Sequence, residues 1–167
     1  MTEEGIITLL GLAPLPREGG YYRETYRSES TIPRESQAGG DTVEMSLCTA
    51  IYYLLTPDTF SALHLLPSDE IFHFYLGDPV IMLQLRPDGS SGVLTLGRDI
   101  EKGHLLQVVV PKNTWQGTYL CEGGKFALMG TTVAPGFSFS DYREADRVSL
   151  IERYPLREDL IRKLTGV

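Results

Sequence analysis

His64 and Glu70 lie six residues apart in SALHLLPSDEIFHFYLG, residues 61 to 77, across the polar turn Pro67-Ser68-Asp69. An imidazole and a carboxylate brought together this way can hold a metal ion, share a proton, or hydrogen-bond within a core. Leu66 stands between them and ligates nothing. Transition-metal sites normally draw three or four ligands from His, Cys, Asp and Glu. One histidine and one carboxylate fall short of that, so these residue types point first to a proton-sharing or hydrogen-bonding pair.

Such a pair must be positioned by the elements around it. Residues 2–11 read as a short helix with Thr2 as N-cap, Glu3 and Glu4 in the first turn, and Gly11 as its stop. Ile6, Leu9 and Leu10 share one face of it. From Tyr21 onward the chain reads as strands: YYRETYRS, SLCTAIYYLLT, VIMLQLR, GVLTLG, HLLQVVV and KFALMGTTV. These runs are rich in β-branched and aromatic residues and are separated by Pro, Gly, Asp, Asn and Ser clusters. Turn signals every ~8–12 residues predict an all-β sandwich or barrel. Residues 30–42, STIPRESQAGGDT, read as a polar loop. Asp141 with Glu144 resembles a capping box opening a helix that carries Ala145, Val148, Ile151 and Tyr154. Pro155 interrupts that helix, and Leu156, Leu160, Ile161 and Leu164 form the stripe of a last one.

Strands alternate their side chains between two faces. Glu70 therefore shares a face with Phe72, Phe74 and Leu76, while Ile71, His73 and Tyr75 point the other way. An inward Glu70 would have its pKa raised by burial unless a partner held its charge, and His64 is the natural partner. Gln107 and Gln116 are strand glutamines that can reach a lumen, and Phe72 and Trp115 offer stacking surfaces. Arg23, with Arg27 on the same strand face, can meet an anionic group. His73 reads as a packing or interface histidine. Glu18, Gly19 and Gly20 read as a tight turn.

Composition narrows the partners. The 167 residues suit one domain spanning residues 1–167. Acidic residues number 22 against 15 basic, a net charge of −7, with no basic cluster, so nucleic acid and anionic membrane surfaces are poor partners. No run approaches the roughly 20 apolar residues that cross a bilayer, and the acidic N-terminus is unlike a secretory leader. Cys48 and Cys121 are distant and form no metal or redox spacing, as expected of core thiols in a cytoplasmic protein.

His64 through Leu66 and Glu70 to Gly77 resembles the first motif of the cupin superfamily, and PKNTWQ, Pro111 to Gln116, with Gly103 upstream, resembles the second. The resemblance places His64 and Glu70 on the first and third metal-ligand positions, with Leu66 on the second and Gln116 on the fourth. EGGYYRETYRS, CTAIYYLLTP, FSALHLLPSDEIFHFYLGDP, PKNTWQGTYL and TTVAPGFSFSDYREADRVSLIERYP are together similar to a subfamily of single-domain cupins of unknown function, close in fold to dehydrorhamnose epimerases. It implies a cupin-type antiparallel β-barrel, a jelly roll, with a short N-terminal helix and two C-terminal helices. A homodimer is implied too, and the strand YYRETYRS is expected to offer an open edge for it.

Three functions follow. The first is a binding module that takes a small polar metabolite, sugar-like or sugar-nucleotide-like, without turnover, contacted by Gln116, Gln107, Phe72, Trp115 and Arg23. The second is a metal-independent isomerase or epimerase with His64 as base and Glu70 as its orienter. The third is a metal-dependent enzyme built on His64, Glu70 and Gln116. No cofactor and no metal are expected in the first two.

Overall fold

The structure, a computed structural model, describes residues 1–35 and 42–166. Helix α1 (Glu3–Leu10) starts and stops where the sequence predicts. Thr2 Oγ1 accepts a hydrogen bond from the Gly5 amide, and Gly11 closes the helix at φ 60°. Ile6 is its buried residue, packed with Leu12, Leu54 and Leu128.

Two antiparallel sheets follow. The first runs in the order β1 (Ala13–Pro14), β2 (Tyr21–Arg27), β5 (Thr49–Leu55), β12 (Ala127–Ala134), β7 (Asp69–Gly77) and β10 (Gln107–Val110). The second runs β13 (Arg143–Glu144), β6 (Phe60–Leu65), β11 (Trp115–Leu120), β8 (Val80–Leu85) and β9 (Ser91–Leu96). Their inner faces meet in one core. Tyr53, Phe72, Phe74, Val108, Val110 and Met129 come from the first sheet; Val80, Met82, Leu96 and Leu120 come from the second. Leu96, at the end of β9, makes an isolated bridge to Leu105, just before β10. The strand spacing predicts an all-β sandwich or barrel, and the two sheets are the jelly roll that the cupin resemblance implies.

The C-terminal helices, α2 (Arg147–Arg153) and α3 (Glu158–Leu164), cover the outside of the second sheet. Leu150, Tyr154, Ile161 and Leu164 pack there on Leu63, Leu83 and Leu85. With that cover both faces of β8 are buried, in keeping with a strand whose residues are apolar except for Gln84. Two details differ from the sequence reading. The cap of α2 is Asp146, whose carboxylate accepts from the Ser149 amide at 2.9 Å. Asp141 lies upstream in a 3-10 turn, its carboxylate already taken by Arg34 Nη2 at 2.6 Å. Val148 and Leu156 also face solvent, at 64% and 93% exposure, so neither belongs to the apolar stripe.

Residues 30–42 are not all loop. β3 (Thr31–Glu35) pairs with β4 (Thr42–Ser46) as a separate hairpin; residues 36–41 of the expected loop lie outside the described residues. Pro33 fits there because a two-stranded ribbon leaves one side of each strand without ladder bonds. The Arg34–Asp141 ion pair, with side chains 20% and 4% exposed, pins this hairpin to the body of the protein. The edge expected at YYRETYRS is partly covered, since β1 pairs with Tyr21 and Tyr22.

Candidate functional site

The sheet register brings the predicted pair together through a third residue. Across the β6–β11 ladder Gln116 lies directly opposite His64. Glu70 sits on β7 in the facing sheet. Gln116 Nε2 bridges them, 2.8 Å from His64 Nε2 and 2.9 Å from Glu70 Oε2. All three are buried, His64 and Gln116 at 1% exposure and Glu70 at 7%. On its other side His64 Nδ1 lies 2.8 Å from the Ala62 carbonyl oxygen. A carbonyl can only accept, so Nδ1 carries the proton and Nε2 presents its lone pair to the Gln116 amide. Both ring nitrogens of His64 are thereby engaged within the protein.

Glu18 completes the group, and the sequence reading missed it. The stretch 17–20 is a tight turn as expected, with Arg17, Gly19 and Gly20 at φ 69°, 96° and 71°. Within that turn the Glu18 side chain points inward. Its Oε1 accepts from Ser61 Oγ at 2.8 Å, and its Oε2 lies 3.9 Å from His64 Nε2. No local signal marks Glu18, because the contacts that aim it lie 43 residues or more along the chain. Tyr142 stacks on the His64 ring at 4.9 Å between centroids, and the Arg17 guanidinium lies 4.7 Å from the Tyr142 ring. Burial pushes the Tyr142 phenol well above its ordinary value, so it stays protonated, and its buried hydroxyl has no protein partner.

Above this floor opens a cavity of about 580 Å³. Leu15, Ile51, Leu66, Val133, Phe137 and Phe139 give it apolar walls, and Thr31, Glu44, Met45 and Ser46 of the β3–β4 ribbon also line it. Burial is the main reason the Glu70 carboxyl is raised from 4.5 to about 7; His64 opposes the rise, Glu18 adds to it and Thr131 opposes it. Glu70 thus gains and loses its proton near neutrality while facing the cavity.

Of the expected contacts, neither Gln116 nor Phe72 lines the cavity: Gln116 is buried beneath its floor, and Phe72 points inward but is fully buried in the core below it. Three residues point away. Trp115 precedes the inward Gln116, so alternation along β11 turns it outward, under the C-terminal helices. Gln107 is exposed on the outer face of β10, where it meets His73, because Val108 and Val110 take the inward positions. Arg23 is exposed, with its guanidinium 5.5 Å from the centre of the Tyr52 ring.

Arg27, expected on the same face as Arg23, lines the cavity instead. The cause is a bulge in β2: the register steps from Glu24–Ile51 to Tyr26–Ala50, so Thr25 is the extra residue. That step returns Arg27 to the face of Tyr22 and Glu24. Arg27 is paired there with Glu24, Nε to Oε1 at 3.0 Å and Nη2 to Oε2 at 2.7 Å.

The four positions that hold a metal in cupins do not fit one here. Leu66 is buried and apolar at the second position. At the fourth, Gln116 turns its N–H groups toward His64 and Glu70, which a cation in that place would repel, and its buried Oε1 has no partner. Among the described residues no group of three or more His, Cys, Asp or Glu side chains is arranged to hold a metal ion.

A two-sheet jelly roll with these inward strand positions defines a cupin. The chain belongs to the family described as Cupin superfamily (DUF985), whose sequence profile matches residues 4–145. It is 32% identical over 134 residues to an uncharacterized protein of Saccharomyces cerevisiae, covering 75% of this chain and 67% of the relative. Among solved structures it is similar to a hypothetical protein from Leishmania major, with a TM-score of 0.88 at 30% identity over 100% of both chains. It is also similar to a protein from Shewanella oneidensis, with a TM-score of 0.84 at 30% identity over 99% of this chain and 98% of that one. A Bacillus subtilis oxalate decarboxylase matches with a TM-score of 0.53 at 14% identity, over 92% of this chain and 37% of that one. That last likeness is one of fold alone. No helix among the described residues is long and apolar enough to cross a membrane.

Proposed function

We propose that the protein binds a small, sugar-like polar metabolite in this cavity and releases it unchanged. The observation that carries the reading is the polar floor of Glu18, His64 and Glu70, the last two joined by Gln116 beneath it, under walls that mix apolar side chains with a few polar ones. Its volume, about 580 Å³, lies within the ~300–1,000 Å³ of ligand pockets, and a few fixed polar groups on apolar walls are what orient a small ligand. Binding is favoured over His64 catalysis because the lone pair a base would use already accepts from Gln116. Saturation-transfer NMR with a panel of neutral polyols is expected to find binders. Leu66→Trp, which fills the cavity, should abolish their signals while leaving the melting temperature nearly unchanged. Polyols that bind the filled variant equally well would place the site elsewhere, and a panel without binders would remove the reading.

One observation favours a second reading, proton transfer. Glu70 faces the cavity and titrates at about 7, which suits a general base at neutral pH better than the capped imidazole does. Glu70, rather than His64, would then be the base of an isomerisation next to a carbonyl. Incubation of keto and aldo sugars in deuterium oxide is the test. Deuterium entering the carbon beside the carbonyl, and lost in Glu70→Gln, supports turnover; no incorporation above the protein-free rate rejects it.

A further inference from the structure

We infer that the ligand of this cavity carries a protonated amine, and that the cavity rejects phosphorylated molecules. The inference rests on the cavity-binding reading and adds the charge of the ligand to it.

The charged groups facing the space are mostly acidic, four glutamates against one arginine, beside hydroxyls that can donate or accept. Glu18 and Glu70 bracket His64 on the floor; Glu24 and Glu44 stand on the walls. Arg27 is the one lysine or arginine lining it among the described residues, and its fork is closed on Glu24, with Nη1 and Nη2 also donating to the Phe137 carbonyl at 3.3 Å. Both ring nitrogens of His64 are engaged, Nδ1 with the Ala62 carbonyl and Nε2 with Gln116, so the ring offers the cavity no free donor. Glu70, nine-tenths buried, turns its carboxylate into the cavity and receives hydrogen bonds from the side chains of Gln116 and Thr131.

An ammonium group is a donor-only head with three N–H bonds and a positive charge. It matches an acceptor-rich floor in both respects, and its hydrogen bonds to carboxylates would be charge-assisted. A phosphate is the opposite in both: acceptor-only and anionic. It would meet Glu18, Glu44 and Glu70 with no free arginine or lysine to receive it, and in a low-dielectric cavity that repulsion is weakly screened. The sugar-nucleotide class expected from the sequence is therefore excluded by charge, while an amino polyol of similar size is favoured.

The test holds shape constant and varies charge. Glucamine, sorbitol and sorbitol 6-phosphate share one carbon skeleton and carry an ammonium, a hydroxyl and a phosphate. Titration calorimetry on the native protein at pH 7.5 and low salt is expected to show glucamine binding at least about tenfold tighter than sorbitol. Sorbitol 6-phosphate should bind weakest. Glu18→Gln should remove most of the advantage of glucamine over sorbitol, read as the ratio of the two affinities within the variant. Because that comparison is internal to each variant, partial instability of Glu18→Gln does not blur it. If sorbitol binds as tightly as glucamine, or the phosphate binds best, the charge assignment falls and the cavity reading stands. If none of the three binds, both fall.

Discussion

Glu70→Gln is expected to make the protein more stable at pH 8 and to abolish most of its loss of stability between pH 5 and pH 8. Burial lifts the folded-state carboxyl from 4.5 to about 7, so the folded protein holds a proton that the unfolded chain releases at lower pH. The sign is the reverse of an ion-paired carboxylate. The contribution is complete below the unfolded value of 4.5 and is lost as pH rises through about 7. In full, that difference corresponds to about 3 kcal/mol. Asp88, Asp99 and Asp146 are held below 3.8, by hydrogen bonds first of all, so their effects belong to more acid solutions. Glutamine keeps the shape of the side chain and an acceptor for Gln116, and has no charge to desolvate. Urea unfolding of both proteins at pH 5 and pH 8 reads the effect. A gap between native and variant that is the same at both pH values would mean that Glu70 ionises as freely in the cavity as in the open chain.

Gly19→Ala is expected to cost about 3 kcal/mol and to lower the melting temperature by roughly 10 °C. Gly19 adopts φ 96°, and a Cβ there would sit 2.4 Å from the Phe60 carbonyl oxygen. Neither partner can move freely. The Gly19 amide donates to Leu15 O at 3.0 Å, its carbonyl accepts from Tyr53 Oη at 2.9 Å, and the neighbouring Glu18 carbonyl accepts from Ala62 N at 2.8 Å. Any shift that relieves the clash moves Glu18 away from Ser61 and His64, so ligand binding should weaken along with the fold. Gly89→Ala is the control. Gly89 has φ 88°, and a Cβ added there would meet nothing within 4 Å, so only backbone strain applies, about 1 kcal/mol. Equal melting temperatures for the two variants would show that the approach to Phe60 is not a constraint.

Much of the site is legible in the sequence because its signals are local. Alternation along β7 puts Glu70, Phe72 and Phe74 on one buried face and His73 on the other, but Leu76, expected with the first set, is exposed beyond a register shift in the β7–β12 pairing. The residues that sequence reasoning misplaces fail for identifiable reasons. Trp115 attracts attention for its ring, although its neighbour Gln116 already holds the inward position. Arg23 and Arg27 fall on one face by strict alternation, which the bulge at Thr25 breaks. Asp141 looks like a helix cap because its ion pair with Arg34 spans 107 residues and leaves no trace in the local pattern.

The sequence by itself determined an all-β sandwich or barrel, both ends of the N-terminal helix, and which residue types stand at His64, Leu66, Glu70 and Gln116. Strand period, capping residues and ligand chemistry are properties of residue type and near spacing. Only the tertiary structure decided that Gln116 joins His64 to Glu70, that Glu18 enters from a distant turn, and that Arg27 is closed on Glu24. Each of those depends on which strands become neighbours and in what register. The charge of the cavity is set by that pairing.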